Sequence, residues 1–201
     1  DWLGNQKGLL SWKLDGLTIV LTYEGGTLVK ALTRGNGEVG EVITNNAKVF
    51  ANVPVEIPFD GRLVLRGEAV ITYRQFERIS ASSPDAEAKY KNPRNLCSGS
   101  VRQLNNEITA KRNVNFFAFS LVEAGNIDFE NSREKQMLWL QSQGFDIVEF
   151  RTVTADNVIE AVEYFEKAIE NNDVPSDGLV LTFDDILYSQ SLGSTAKFPR
   201  D

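Results

Sequence analysis

The sequence predicts an α+β fold, built from antiparallel sheets with helices packed on their outer faces. Three observations lead there. Alternating apolar and polar residues dominate the first two thirds of the chain. Most connections between these runs are short and glycine-bearing, which suits antiparallel neighbours. Helical periodicity is confined to three segments, the clearest of them near the C-terminus.

The elements run in chain order. Leu9 to Leu14 alternates, with Ser11, Lys13 and Asp15 as its polar set. Leu17 to Tyr23 alternates in the opposite phase, with Leu17, Ile19, Leu21 and Tyr23 apolar. A phase slip at Asp15-Gly16 marks a turn, and Asp-Gly is a strong turn dipeptide. Lys13 and Asp15 therefore share one face, where a strand meets that turn. Glu24-Gly25-Gly26 makes the next turn, into a strand over Thr27 to Thr33. Gly61 to Thr72 is a further strand, with Arg66 and Glu68 on one face and Leu63, Leu65, Ala69 and Ile71 on the other. Phe116 to Val122 and Gly178 to Phe183 read as buried strands. Tyr73 to Ser80 reads as a short helix. Ser132 can cap a second helix that ends near Gly144. From Asp156 to about Glu170, Val158, Ala161, Val162, Phe165 and Ile169 form one apolar stripe, the mark of a third helix packed on the core.

Composition removes several kinds of chemistry. The 201 residues contain no histidine, so Ser-His-Asp and Cys-His catalysis are excluded and any nucleophile must be Lys, Asp, Glu, Tyr or Ser. The single Cys97 precludes an internal disulfide and fits a reducing compartment. With no run of about 20 apolar residues and no signal-peptide pattern, the expected location is the cytoplasm, away from any membrane. The net charge is −7, yet Lys89, Lys91, Arg94, Arg102, Lys111 and Arg112 share their window with one acid, Glu107. Such an island is either an ordinary solvated loop or a surface that meets phosphates.

Two motifs bear on function. Gly35-Asn36-Gly37-Glu38-Val39-Gly40 satisfies G-x-G-x-x-G, with Glu56 at roughly the spacing of a ribose-binding acid. The helix it should open would lie between Glu41 and Pro54, where Thr44, Asn45 and Asn46 interrupt any apolar stripe, so turn glycines explain it better. Lys13-Leu14-Asp15-Gly16 has only three fixed letters and would arise by chance in roughly a few per cent of such chains. Read alone, Lys13 is better explained as a strand-end lysine snorkelling to water.

The segments downstream change that balance. After Lys13-Leu14-Asp15-Gly16 come Thr33-Arg34-Gly35-Asn36-Gly37, Val39-Gly40-Glu41, Arg66-Gly67-Glu68 and Asn92-Pro93-Arg94-Asn95. Gly99-Ser100-Val101-Arg102-Gln103-Leu104, Ala110-Lys111-Arg112 and Ser176-Asp177-Gly178-Leu179-Val180 come after them. In this order and spacing the chain, from about Leu9 to its end, resembles the adenylation domain of bacterial NAD-dependent DNA ligases. These belong to the covalent nucleotidyltransferases, with ATP-dependent ligases and mRNA capping enzymes. The resemblance implies that fold, and it implies roles. Lys13 would be the nucleophile that takes AMP from NAD, releases nicotinamide mononucleotide, and passes the AMP to the 5′-phosphate of a nick for sealing by the 3′-hydroxyl. An amine suits this because it is a strong nucleophile when neutral and the P–N bond is labile. Magnesium is the expected metal, with Asp15, Glu68 and Asp177 as its acidic set. Asp15 would assist catalysis, Glu68 would alternatively meet the ribose, Arg34 would lie near a phosphate, and Phe119 would stack on adenine, unless that ring is simply core. Arg94 and Arg102 would hold the phosphates of nicked double-stranded DNA.

The sequence also departs from the family's pattern. Ser11 stands where many of these ligases carry an acid that reads the adenine amino group, and Thr182 where a lysine that approaches the AMP phosphate is usual. Residues 1–8 are expected to be a linker from an absent nicotinamide-binding module, since the chain starts at Asp1-Trp2 without Met. Residues 9–201 would be the core, stopping at Lys197-Phe198-Pro199-Arg200-Asp201 before the family's last lysine-bearing motif. A monomer is expected, and zinc only in parts that lie outside this chain. An ATP-charged relative, or a degenerate domain that only binds DNA, are the alternatives.

Overall fold

The computed structural model describes residues 3–34, 40–82 and 90–192. Two antiparallel sheets form the frame, so the α+β expectation holds. The smaller sheet has β1 (Gly8–Leu14) at its centre, between β6 (Phe150–Val153) and β7 (Ser176–Phe183). The larger runs β3 (Thr27–Arg34), β2 (Leu17–Glu24), β4 (Leu63–Val70), β5 (Asn115–Ala124). The phase slip at Asp15-Gly16 marks something larger than a hairpin turn. There the chain leaves one sheet and enters the other, so β1 and β2, adjacent in sequence, are never partners. The Asp15 N–H donates to the Pro175 carbonyl at 2.9 Å and holds the crossing point against the residue that precedes β7.

Alternation decides which faces are buried. Ile19, Leu21 and Tyr23 of β2 and Leu63, Leu65 and Ala69 of β4 are fully enclosed, while Thr18 and Glu68 on the opposite face line the gap between the sheets. Burying those six side chains is worth on the order of 10 kcal/mol before the entropy of ordering is charged against it. The Tyr23 hydroxyl donates to the Pro54 carbonyl at 2.5 Å, which is how a phenol can be wholly buried. Burial pushes its pKa above the ordinary tyrosine value.

Helices cover the outer faces. They are α1 (Thr44–Ala47), α2 (Tyr73–Ser82), α3 (Pro93–Val101), α4 (Asn106–Lys111), α5 (Arg133–Ser142), α6 (Val158–Ala168) and α7 (Ile186–Ser191). Ser132 caps α5 by accepting from the Lys135 N–H, and Gly144 comes just after the helix at φ +104, as expected. The third expected helix is shorter than its stripe: α6 ends at Ala168 and Ile169 begins a 3₁₀ turn, 46% exposed. Leu3, ahead of β1, is buried in the core.

The basic island is mostly helix. Asn92 accepts from the Asn95 N–H and Pro93 sits in the first turn of α3, so N-P-R-N is a helix start as well as a motif. Asn105 caps α4 in the same manner. Asn46 is buried and its amide donates to the carbonyls of Val101 and Gln103, at 2.7 and 2.8 Å, tying α1 to the end of α3. Among the described residues no helix is long and apolar enough to cross a membrane. The glycine motif at residues 35–39 lies outside the described residues, as does the segment at 197–201. The chain beyond that motif forms an irregular stretch and the four-residue α1, set against an antiparallel sheet, which removes the dinucleotide-binding reading.

Candidate active site

The two sheets diverge from the crossing at Asp15-Gly16 and leave a cavity of about 290 Å³ between them. From the smaller sheet, Leu9, Ser11 and Lys13 line it, because residues two apart on β1 share a face. Val180 and Thr182 of β7 and Phe150 of β6 extend that wall. The larger sheet supplies Thr18 of β2, Glu68 of β4 and Phe119 of β5, while Met137 of α5 and Val148 close the rest. The cavity thus gathers Ser11, Lys13, Glu68, Phe119 and Thr182 from four strands.

Lys13 is exposed, at the end of a strand that opens into the cleft. The β1–β7 ladder steps from Trp12–Leu179 to Leu14–Ser176, which puts Lys13 opposite an irregularity at Asp177-Gly178. Gly178 has φ +142, a conformation that side-chain-bearing residues rarely adopt. Bulges of this kind re-aim side chains beside reactive groups. Behind Lys13, Trp12 packs edge-on against Phe165 and donates from Nε1 to Glu149 at 2.9 Å. Tyr164 donates to the other oxygen of Glu149 at 3.0 Å, fixing the strand beside the lysine to α6.

Glu68 lies opposite Thr18 in the β2–β4 ladder and accepts from its hydroxyl at 2.8 Å. It also accepts from the Gly16 N–H at 3.3 Å, which joins the carboxylate to the crossing point. Burial raises its pKa above the ordinary carboxylate range, the Asp15 charge adds to the rise, and the bonds from Thr18 and Gly16 together with Arg94 oppose it. A carboxyl raised on folding supports the fold fully while it is neutral and loses that support as pH rises through its folded pKa. Glu68→Gln should therefore gain melting temperature relative to the unmodified protein as pH goes from about 4 to about 7. Melting curves at the two pH values check this, and a flat or falling difference counts against the burial of Glu68.

Phe119 is 41% exposed and belongs to the cavity, so its aromatic face is available and the core reading does not apply. The β4–β5 ladder steps from Gly67–Ala118 to Arg66–Ser120, leaving Phe119 as the extra residue of a bulge. Thr182 pairs with Leu9, four residues from Lys13 along β1. At about 3.3 Å per residue it lies some 13 Å from the lysine's position on the strand.

The expected acidic set is only partly assembled. Among the described residues no three Asp, Glu or Cys side chains are grouped to hold a metal. Asp15 and Glu68 are close enough for one charge to act on the other. Asp177 is exposed and does not line the cavity. Two carboxylates do suit magnesium, which keeps several waters and takes its remaining ligands from substrate phosphates. Arg94, expected on the DNA surface, has its Nε 3.6 Å from Asp15 Oδ1, beside the cavity. Arg102 pairs with Glu41 at 3.3 Å and bonds to Ser98. Arg34 stands opposite Thr18 at the end of β3, on the cleft side of the larger sheet.

Arg66 has no role among the sequence-based expectations. It shares the cleft face with Glu68, and burial, then the charge of Arg34, lowers its pKa. Neither arginine has an ion pair among the described residues. The signal is present in the alternation of β4, since Arg66 and Glu68 are two apart.

Comparison with known proteins gives a consistent answer. The family described as the NAD-dependent DNA ligase adenylation domain matches residues 3–201. DNA ligases of Ruminiclostridium cellulolyticum and Lachnoclostridium phytofermentans are each 66% identical over the whole chain. The chain spans 31% of the length of these relatives. Among solved structures, a mycobacterial DNA ligase D complexed with ATP and MES matches with a TM-score of 0.50 at 13% identity. The match covers 91% of this chain and 51% of that one, and at such identity it bears on the fold alone.

Proposed function

Because this chain belongs to the NAD-dependent DNA ligase adenylation-domain family, we propose that it forms the AMP-transfer core of an NAD-dependent DNA ligase acting in the cytoplasm. The observation that carries the reading is the convergence of Lys13, Ser11, Thr18, Glu68 and Phe119 on one cavity between the sheets. In this reading the neutral Lys13 amine attacks the adenylyl phosphorus of NAD. The P–N bond forms as the P–O bond to nicotinamide mononucleotide breaks, the leaving phosphate takes the electron pair, and the amine's spare proton goes to solvent. The AMP then moves to the 5′-phosphate of a nick in double-stranded DNA.

The remaining side chains orient the reactants. Phe119 offers a ring face to the base, Glu68 meets the ribose or the metal shell, and Arg34 with Arg66 attracts phosphate. Asp15 and Glu68 would hold a magnesium ion, which when bound supplies positive charge that screens the phosphates. Arg94 would act at the reacting phosphate, beside Asp15, while Arg102 contacts the DNA backbone once released from Glu41.

The test places this chain within the 66%-identical clostridial ligase in place of the matching segment, then supplies NAD or ATP with magnesium. Mass spectrometry should show one AMP per chain with NAD. Labelling by ATP alone would favour an ATP-charged enzyme, and no labelling by either would favour a domain that only binds DNA.

A further inference from the structure

The cavity has two ends of different character. Lys13, Thr18 and Glu68 stand at the end nearest the crossing of the sheets. Farther back along β1, Leu9 with its neighbours Phe150 and Val180 is apolar, and Ser11 and Thr182 are the polar side chains of the lining there among the described residues. With the nucleophile at the first end, a nucleotide bound with its phosphate at Lys13 puts its base at the second. Ser11 is two residues from Lys13 on the same face of β1, about 6.6 Å back along the strand. Thr182 pairs with Leu9 on the adjacent strand, diagonal to Ser11, which pairs with Val180. Diagonal neighbours lie about 7–8 Å apart, a span that lets both hydroxyls reach adjacent atoms on one edge of a purine.

Hydroxyls read such an edge loosely. Adenine presents a donor at its C6 amino group and an acceptor at N1, while hypoxanthine reverses both. A carboxylate only accepts and an ammonium only donates, so either would reject the reversed pattern. Serine and threonine can each donate or accept by turning about one bond. The Thr182 hydroxyl meets the Leu9 carbonyl only at 3.5 Å, so little holds it in one orientation. Resting on the assignment of this cavity to AMP, we propose that Ser11 and Thr182 determine base specificity and that the site accepts hypoxanthine nucleotides about as readily as adenine ones.

Calorimetric titration of the protein with AMP and with inosine monophosphate tests this without any reaction. Dissociation constants within tenfold of each other are expected. A preference for AMP beyond tenfold overturns the inference while leaving the AMP site in place. If neither nucleotide binds, the assignment of the cavity itself fails and this inference with it. Ser11→Glu supplies a second arm: it should raise the ratio of the inosine monophosphate to the AMP dissociation constant by more than tenfold over that of the unmodified protein. An unchanged ratio in that variant would show that position 11 does not face the C6 edge.

Discussion

Lys13→Ala is expected to abolish the covalent AMP adduct completely while leaving the fold and the nucleotide cavity in place. The two halves of that expectation have separate physical causes. The lysine is exposed at the end of β1 and takes part in no hydrogen bond or ion pair among the described residues. Its removal should therefore stay within about 0.5 kcal/mol, the usual range for a surface substitution. In a chain of this size that is about 1–2 °C in melting temperature. The adduct, by contrast, needs a nitrogen nucleophile at that place. The sequence has no histidine, and among the described residues the cavity lining offers hydroxyls and the Glu68 carboxylate as substitutes. Lys13→Arg should fail equally, because a guanidinium stays protonated and cannot attack. Intact-mass measurement with a melting curve on each variant gives the answer. An adduct that persists in Lys13→Ala would refute the assignment, and a large loss of stability would mean the lysine carries a structural load.

The features legible in the sequence and those hidden from it divide by the range of the interactions involved. Alternation is a property of neighbouring residues, so β1 to β5 and β7, and the placing of Arg66 with Glu68 on one face, can be read from the residues alone. β6 cannot, because Phe-Arg-Thr-Val is four residues long and has no alternating pattern; only its partner β1 makes it a strand. α3 is hidden by Ser98, Gly99 and Ser100, poor helix formers that blur its amphipathic stripe. Its signal is Asn92-Pro93, a cap and then an N-terminal proline, within a segment that stands out first as a family motif. The site shows the same division. Lys13, Ser11 and Glu68 come from the faces of single strands. The far-end position of Thr182, the separation of Asp177 from the other acids and the approach of Arg94 to Asp15 depend on register between distant segments.

The glycine of Lys13-Leu14-Asp15-Gly16 joins these two levels, and Gly16→Ala is expected to be the most destabilising small change at the site. A Cβ on residue 16 would fall 2.0 Å from the Ala69 carbonyl oxygen and 2.9 Å from a Val70 methyl carbon. Neither obstacle can swing aside. Ala69 is fully buried in the β2–β4 ladder, opposite Leu17, and Val70 is equally enclosed. Relief would require the start of β2 to move away from β4, stretching the bond from the Gly16 N–H to Glu68. Overpacking of this kind costs about 1–3 kcal/mol, occasionally more. With a fixed backbone as the obstacle, about 3 kcal/mol is expected, or roughly 6–12 °C in melting temperature for a chain of this size. AMP binding should weaken as well, since the carboxylate at the cavity's near end moves with the strand. Gly25→Ala is the control. Nothing lies within 4 Å of a Cβ there, but φ is +58, so its cost is backbone strain of about 1–2 kcal/mol without an effect on AMP. If Gly16→Ala melts within about 2 °C of the unmodified protein and binds AMP normally, the two sheets are not joined as closely at this point as the geometry requires. Loss of both together would explain why a glycine comes directly after the nucleophile and its aspartate: the reactive lysine is aimed from one sheet, the carboxylate from the other, and only a residue without a side chain lets them meet.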